Sequence, residues 1–93
     1  MEQAPIDPSR PDSAGRNPMY YYQPMDVSRR FGLRLRQLRR ERSLTQLKMA
    51  SQFGIDRSFI SDVERGRKSI SLLTLEIVAL GLRVSLSELL QDI

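Results

Sequence analysis

The chain has 93 residues, 40% hydrophobic and 28% charged, the balance of one folded domain rather than a wholly disordered chain. It contains no Cys, His or Trp, which excludes disulfides, thiolate nucleophiles, imidazole bases and Cys/His zinc sites, so no metal or cofactor is expected. Net charge is +4 from 15 basic and 11 acidic side chains, and no apolar run reaches the about 18 residues of a membrane span; the expectation is a cytoplasmic protein with anionic partners and no membrane.

Residues 1–25 hold all five prolines (Pro5, Pro8, Pro11, Pro18, Pro24) and show no helical or strand period. They read as a Pro-rich tail or arm, flexible or extended. The tail has net charge −1, so the 13 basic and 8 acidic side chains of residues 26–93 give that part +5. Met19-Tyr20-Tyr21-Tyr22 breaks the tail's polarity. It either covers the domain surface or is simply solvated, or it forms a short arm that docks on a partner subunit or on DNA.

From Asp26 onward nothing alternates with period two and no hairpin turn signal occurs, so the fold class is all-α. Five short helices are predicted. The first, Val27 to Arg42, has Phe31, Leu35 and Leu38 as its apolar stripe among seven Arg. The second, Thr45 to Phe53, has Thr45 as N-cap candidate and ends at Gly54. The third runs from Arg57 to Arg65 behind an Asp56 cap, with Ile60 and Val63 inward and Gly66 after it. The fourth runs from Leu72 to Leu82, entered through Ser71. The fifth runs from Leu86 to Asp92, where Ser85 and Glu88 have capping-box spacing.

Only a few residues around Gly54-Ile55 join the second and third helices. That is too short for antiparallel packing, so the two cross steeply as a helix-turn-helix. Ala50 must be small where the third helix packs over it, and Gly54 must take positive φ. The sequence here resembles the phage-repressor and Cro-like helix-turn-helix family, the Xre type. The resemblance rests on Leu44-Thr45-Gln46, Met49-Ala50, Gly54-Ile55, Ser58, Ile60-Ser61 and Val63-Glu64-Arg65-Gly66. It continues through Ser71-Leu72, Thr74-Leu75-Glu76 and Val84 to Leu90, and covers roughly residues 28–90.

The resemblance implies a compact five-helix domain over residues 26–93 that binds double-stranded DNA as a homodimer, with the third helix in the major groove. It makes Arg57, Ser58, Ser61 and Asp62 the base-reading candidates. Asp62 either accepts from cytosine or pairs at i, i+3 with Arg65, and the ion pair is favoured. Thr45, Gln46, Phe59, Arg67, Lys68 and Ser69 are assigned to the DNA backbone. Gln46 also braces the recognition helix, and Phe59 could equally pack between helices. Arg39 and Glu64 match a partly buried ion pair of the family. On the first helix most Arg are expected to be solvated, with Arg40 and Arg42 as phosphate candidates.

Val84, Leu86, Leu89, Leu90 and Ile93 offer more apolar surface than one short helix needs. Two subunits meeting through the fourth and fifth helices would bury it. Ser43 and Arg83 stand where the family commonly has Gly, so the end of the fourth helix could differ in geometry. Ile70 replaces a common Pro, as in the small controller proteins of restriction-modification systems. The implied function is a transcriptional regulator without catalytic chemistry, acting as a homodimer on an inverted-repeat operator. Such a regulator is a restriction-modification controller, an antitoxin-type autorepressor or a phage-like repressor. The alternative is a protein-interaction module or an antitoxin whose tail binds a partner.

Overall fold

The structure is a computed structural model that describes residues 26–93. Five helices follow in chain order: α1 (Val27–Glu41), α2 (Gln46–Phe53), α3 (Arg57–Glu64), α4 (Leu72–Leu82) and α5 (Leu86–Leu89). No strand occurs among the described residues.

Each helix starts on a short polar side chain in extended backbone. Asp26, Thr45, Asp56, Ser71 and Ser85 each accept a hydrogen bond from the backbone N–H three residues on. Such a bond satisfies one of the four donors that every helix start leaves orphaned. At α5 the capping box is complete: Ser85 Oγ accepts from Glu88 N at 3.0 Å, and Ser85 N donates to Glu88 Oε1 at 3.4 Å. Thr45 is therefore outside α2 rather than its first residue. At the other ends, Arg42 and Arg65 are caps and not the last helical residues. The fifth helix stops at Leu89, short of the expected Asp92, because the chain turns at Leu90 and Asp92 takes φ +61°.

The core gathers one stripe from each helix: Phe31, Leu35 and Leu38 from α1, Met49 and Ala50 from α2, Ile60 and Val63 from α3, Leu75, Val78, Ala79 and Leu82 from α4, and Leu89 from α5. α1 packs on α3 and α5, α2 on α3 and α4, and α4 on α5. Two glycines set how closely these elements approach. A Cβ at Gly32 would lie 2.5 Å from the carbonyl oxygens of Val63 and Glu64, so α1 crosses α3 backbone to backbone. A Cβ at Gly81 would lie 2.5 Å from the Phe53 ring, which explains a glycine inside α4.

Gly54 takes the left-handed turn that its place in the sequence predicts, and the two departures from glycine, Ser43 and Arg83, prove ordinary in geometry. Gly54 takes φ +69° with open space where a Cβ would go, so its backbone angle, not crowding, is what favours glycine there. Ser43 and Arg83 take φ +56° and +60°, the same left-handed turn that glycine makes. The end of α4 thus keeps the usual geometry: Arg83 N donates to Leu80 O and Val84 N to Ala79 O. The left-handed backbone costs a side-chain-bearing residue about 1–2 kcal/mol.

Candidate nucleic-acid interface

Gly54 turns the chain sharply between α2 and α3, and Ile55 N donates back to Ala50 O at 3.1 Å. Ala50 is buried, so α3 can cross close over α2. α3 then buries Ile60, Val63 and Glu64. At 100° per residue, the opposite side of the helix carries Ser58, Asp62 and Arg65, with Ser61 at its edge, while Arg57 reaches solvent from the first turn. Arg57, Ser58 and Arg65 are exposed; Ser61 and Asp62 are half-buried. Phe59 is half-buried and packs against the core, so its ring serves the domain interior.

The orientation of α3 is locked by ionic contacts behind it. Arg39 Nε lies 2.7 Å from Glu64 Oε2, and Arg39 Nη2 lies 3.0 Å from Oε1. Arg39 Nη1 donates to Leu44 O at 2.7 Å. Gln46 Nε2 donates to Glu64 Oε1 at 3.0 Å, and Arg36 Nε approaches the same oxygen at 3.5 Å. Arg39 is 7% exposed and Glu64 2%. Burial pushes the Glu64 carboxyl up, but hydrogen bonds from Arg39 and Gln46 and the charges of Arg39 and Arg36 outweigh it and hold it below the ordinary range. The hydrogen bond to Glu64 in turn raises Arg39. Gln46 uses one amide N–H on Glu64; its amide has a second N–H to offer a phosphate.

Beyond α3 the loop carries Arg67, Lys68 and Ser69, all exposed. Lys68 Nζ lies 3.6 Å from Asp62 Oδ2, so the partner of Asp62 is Lys68 and not the expected Arg65. The reversal at Gly66 explains this, because it carries the chain back across the end of α3. Thr45 is exposed, with its hydroxyl engaged in capping α2.

The Arg-rich α1 is not mostly solvated. Arg30 donates to Ile93 O, Arg34 to Glu88 O at 2.6 Å, and Arg42 to Leu82 O at 2.7 Å and Leu38 O at 3.1 Å. With Arg36 and Arg39 on Glu64, five of the seven Arg serve the protein's own acceptors. For Arg42 the reason is the unpaired carbonyls at the end of α4, which a guanidinium group answers well; Arg36 and Arg39 answer the buried Glu64 carboxylate instead. Arg42 is thereby occupied as a cap for α4, while Arg40 stays exposed.

The helix-turn-helix family profile matches residues 35–89. The chain is 42% identical over 69 residues to the control protein C.MunI of a Mycoplasma species, spanning 73% of this chain and 93% of that protein. The crystal structure of the restriction-modification controller protein C.AhdI from Aeromonas hydrophila superposes with a TM-score of 0.65 and 39% identity, over 67% of this chain and 94% of that one. The controller protein C.Esp1396I, solved as a tetramer in complex with its natural 35 base-pair operator, superposes with a TM-score of 0.61 and 29% identity, over 68% and 87% of the two chains.

The chain belongs to the helix-turn-helix family. It is a DNA-binding regulator of the Xre/Cro-like kind within that family.

Against this helix-turn-helix frame, the expected dimer residues divide. Leu86 and Leu90 are exposed, whereas Val84 and Ile93 pack partly against the core. Leu89 is 0% exposed and belongs to the subunit's own core: the capping box turns it inward under α1 and α4. Sequence reading missed a larger apolar surface on α4. Leu73, Ile77 and Leu80 recur at i, i+4 and i+7 on the side opposite the core, and Leu73 and Leu80 are 69% and 72% exposed. The signal was present as a helix apolar on both sides, which a search for one buried stripe passes over. The tail of residues 1–25, with its Tyr20–Tyr22 patch, lies outside the described residues. No described helix is long and apolar enough to cross a membrane.

Proposed function

We propose that this helix-turn-helix protein is a transcriptional regulator that binds an inverted-repeat operator as a homodimer, in the manner of a restriction-modification controller. The observation that carries the reading is the outward row on α3. Arg57, Ser58, Ser61 and Asp62 stand clear of the core on a helix that Glu64 and Gly32 hold rigidly from behind. Donors and acceptors so placed match the base edges of a major groove. Thr45, Gln46, Arg67 and Ser69 flank the row and are assigned to phosphates. The naming of C.MunI and C.AhdI as control and controller proteins, and the operator complex of C.Esp1396I, favour this class.

The exposed α4 face supplies the second subunit. Pairing Leu73, Ile77 and Leu80, with Leu86 and Leu90, against the same residues of another copy buries them in a self-complementary contact. The two α3 helices would then read half-sites about 34 Å apart. Regulation follows from occupancy, in the cytoplasm, and no catalytic step is assigned.

The test is binding to selected and random duplexes across a salt series. Affinity should fall steeply with salt while the selected site keeps a preference of roughly 10³ or more. Arg57→Ala should relax that preference, and Arg67→Ala should weaken all sequences alike. No enrichment of any sequence would overturn the operator reading.

A further inference from the structure

The outward row of α3 contains one side chain that can only accept. Arg57, Ser58 and Ser61 all have hydrogens to donate, whereas the carboxylate of Asp62 has none. Alone, it would be repelled from a groove walled by phosphates. The chain after α3 changes that. Gly66 takes φ +75°, and a Cβ there would lie 2.8 Å from the Arg29 Cα, so the reversal is fixed by both angle and space. Arg67 N then donates to Asp62 O at 2.8 Å and ties the loop to the helix. This returns Lys68 over the helix end, where its ammonium offsets the Asp62 charge at 3.6 Å through Oδ2.

A carboxylate in the major groove has two base donors to choose from, the exocyclic amino groups of cytosine and adenine. Adenine shows its N7 acceptor beside the amino group, which repels a carboxylate; cytosine shows the donor without it. Resting on the reading of α3 as the recognition helix, we infer that Asp62 is a specificity-determining acceptor for the amino group of a cytosine. Lys68 is its positioning residue and not a phosphate contact.

The experiment is selection from randomised duplexes with the full chain, followed by affinities over a salt series. The wild type, Asp62→Asn, Asp62→Ala, Lys68→Ala and Lys68→Arg are compared. Both side chains lie at the surface, and circular dichroism checks that each variant folds. The wild type should fix cytosine at one position in each half-site. Asp62→Asn should move that position to adenine, since an amide both donates and accepts. Lys68→Ala should lower the cytosine preference at the same position about fivefold or more with an unchanged salt slope, and Lys68→Arg should restore it. Two results would overturn the inference. One is Asp62→Ala tightening all sequences equally with every base preference kept. The other is Lys68→Ala lowering the salt slope by about one per subunit while cytosine stays fixed, the mark of a phosphate contact. A wild type that enriches no sequence overturns the operator reading itself; one that enriches a site unchanged by the Asp62 variants overturns this inference alone.

Discussion

At Glu64 a single buried carboxylate holds three elements together: α1 through Arg39, α2 through Gln46, and α3 by its own backbone. Removing Arg39 leaves the buried Glu64 charge without its two-pronged guanidinium, with only Gln46 and the more distant Arg36 beside it, so Arg39→Ala should cost about 3–5 kcal/mol in urea unfolding. A paired Arg39→Met and Glu64→Leu replacement should recover much of that loss, because no orphan charge remains. Because the fold holds the Glu64 carboxyl below its ordinary value of 4.5, the unfolded chain binds its proton first as pH falls. The stability it confers is complete above that value and is lost as pH falls through the lower folded value. Glu64→Gln should accordingly flatten the acid limb of a stability–pH curve below 4.5 while lowering the neutral plateau. The two residue types were legible in the sequence through the family resemblance. Gln46 as a brace of α3 was legible in the same way; the participation of Arg36 and Leu44 was not, because no spacing rule links residues on separate elements.

Helix starts, and the ends of α2 and α3, were readable because they depend on local chemistry, whereas α5 stops at Leu89 and not at the expected Asp92. Short polar caps precede each helix, and Gly54 and Gly66 follow α2 and α3, in positions set by neighbours a few residues away. Close approach between helices is a different matter. Gly32 and Gly81 look alike in sequence, as glycines inside helices. Yet a Cβ on Gly32 meets rigid backbone carbonyls, and one on Gly81 meets a phenyl ring that can turn. Gly32→Ala should therefore destabilise more than Gly81→Ala, with the latter costing about 1–3 kcal/mol in chemical denaturation. The arginines of α1 make the same point. Sequence alone has most of them solvated, with Arg40 and Arg42 left for phosphates, but Arg30, Arg34 and Arg42 reach carbonyls of Ile93, Glu88 and Leu82, far along the chain. An element's composition does not say which side of it meets solvent.

For the whole molecule, the decisive feature is an α4 apolar on two sides. One side completes a small core, and the other presents Leu73, Ile77 and Leu80 outward. Domains of this size bury only about 60% of their unfolded surface, so a second subunit adds burial that one chain lacks. Leu80→Glu should leave the helical circular dichroism signal intact. It should shift the protein to monomer in sedimentation velocity and weaken operator binding by about tenfold or more. Retained dimer in that variant would move the interface away from α4.

The sequence by itself determined the all-helical class, the order and caps of the helices, the left-handed turn at Gly54 and the helix-turn-helix resemblance. All of these follow from interactions between residues near in sequence. Only the tertiary structure decided that Lys68 rather than Arg65 faces Asp62, that Leu89 lies in the core, and that Arg34 and Arg42 cap the ends of α5 and α4. The net positive charge is a sum over side chains. Which of those charges remain free for DNA depends on where the folded chain places its own acceptors.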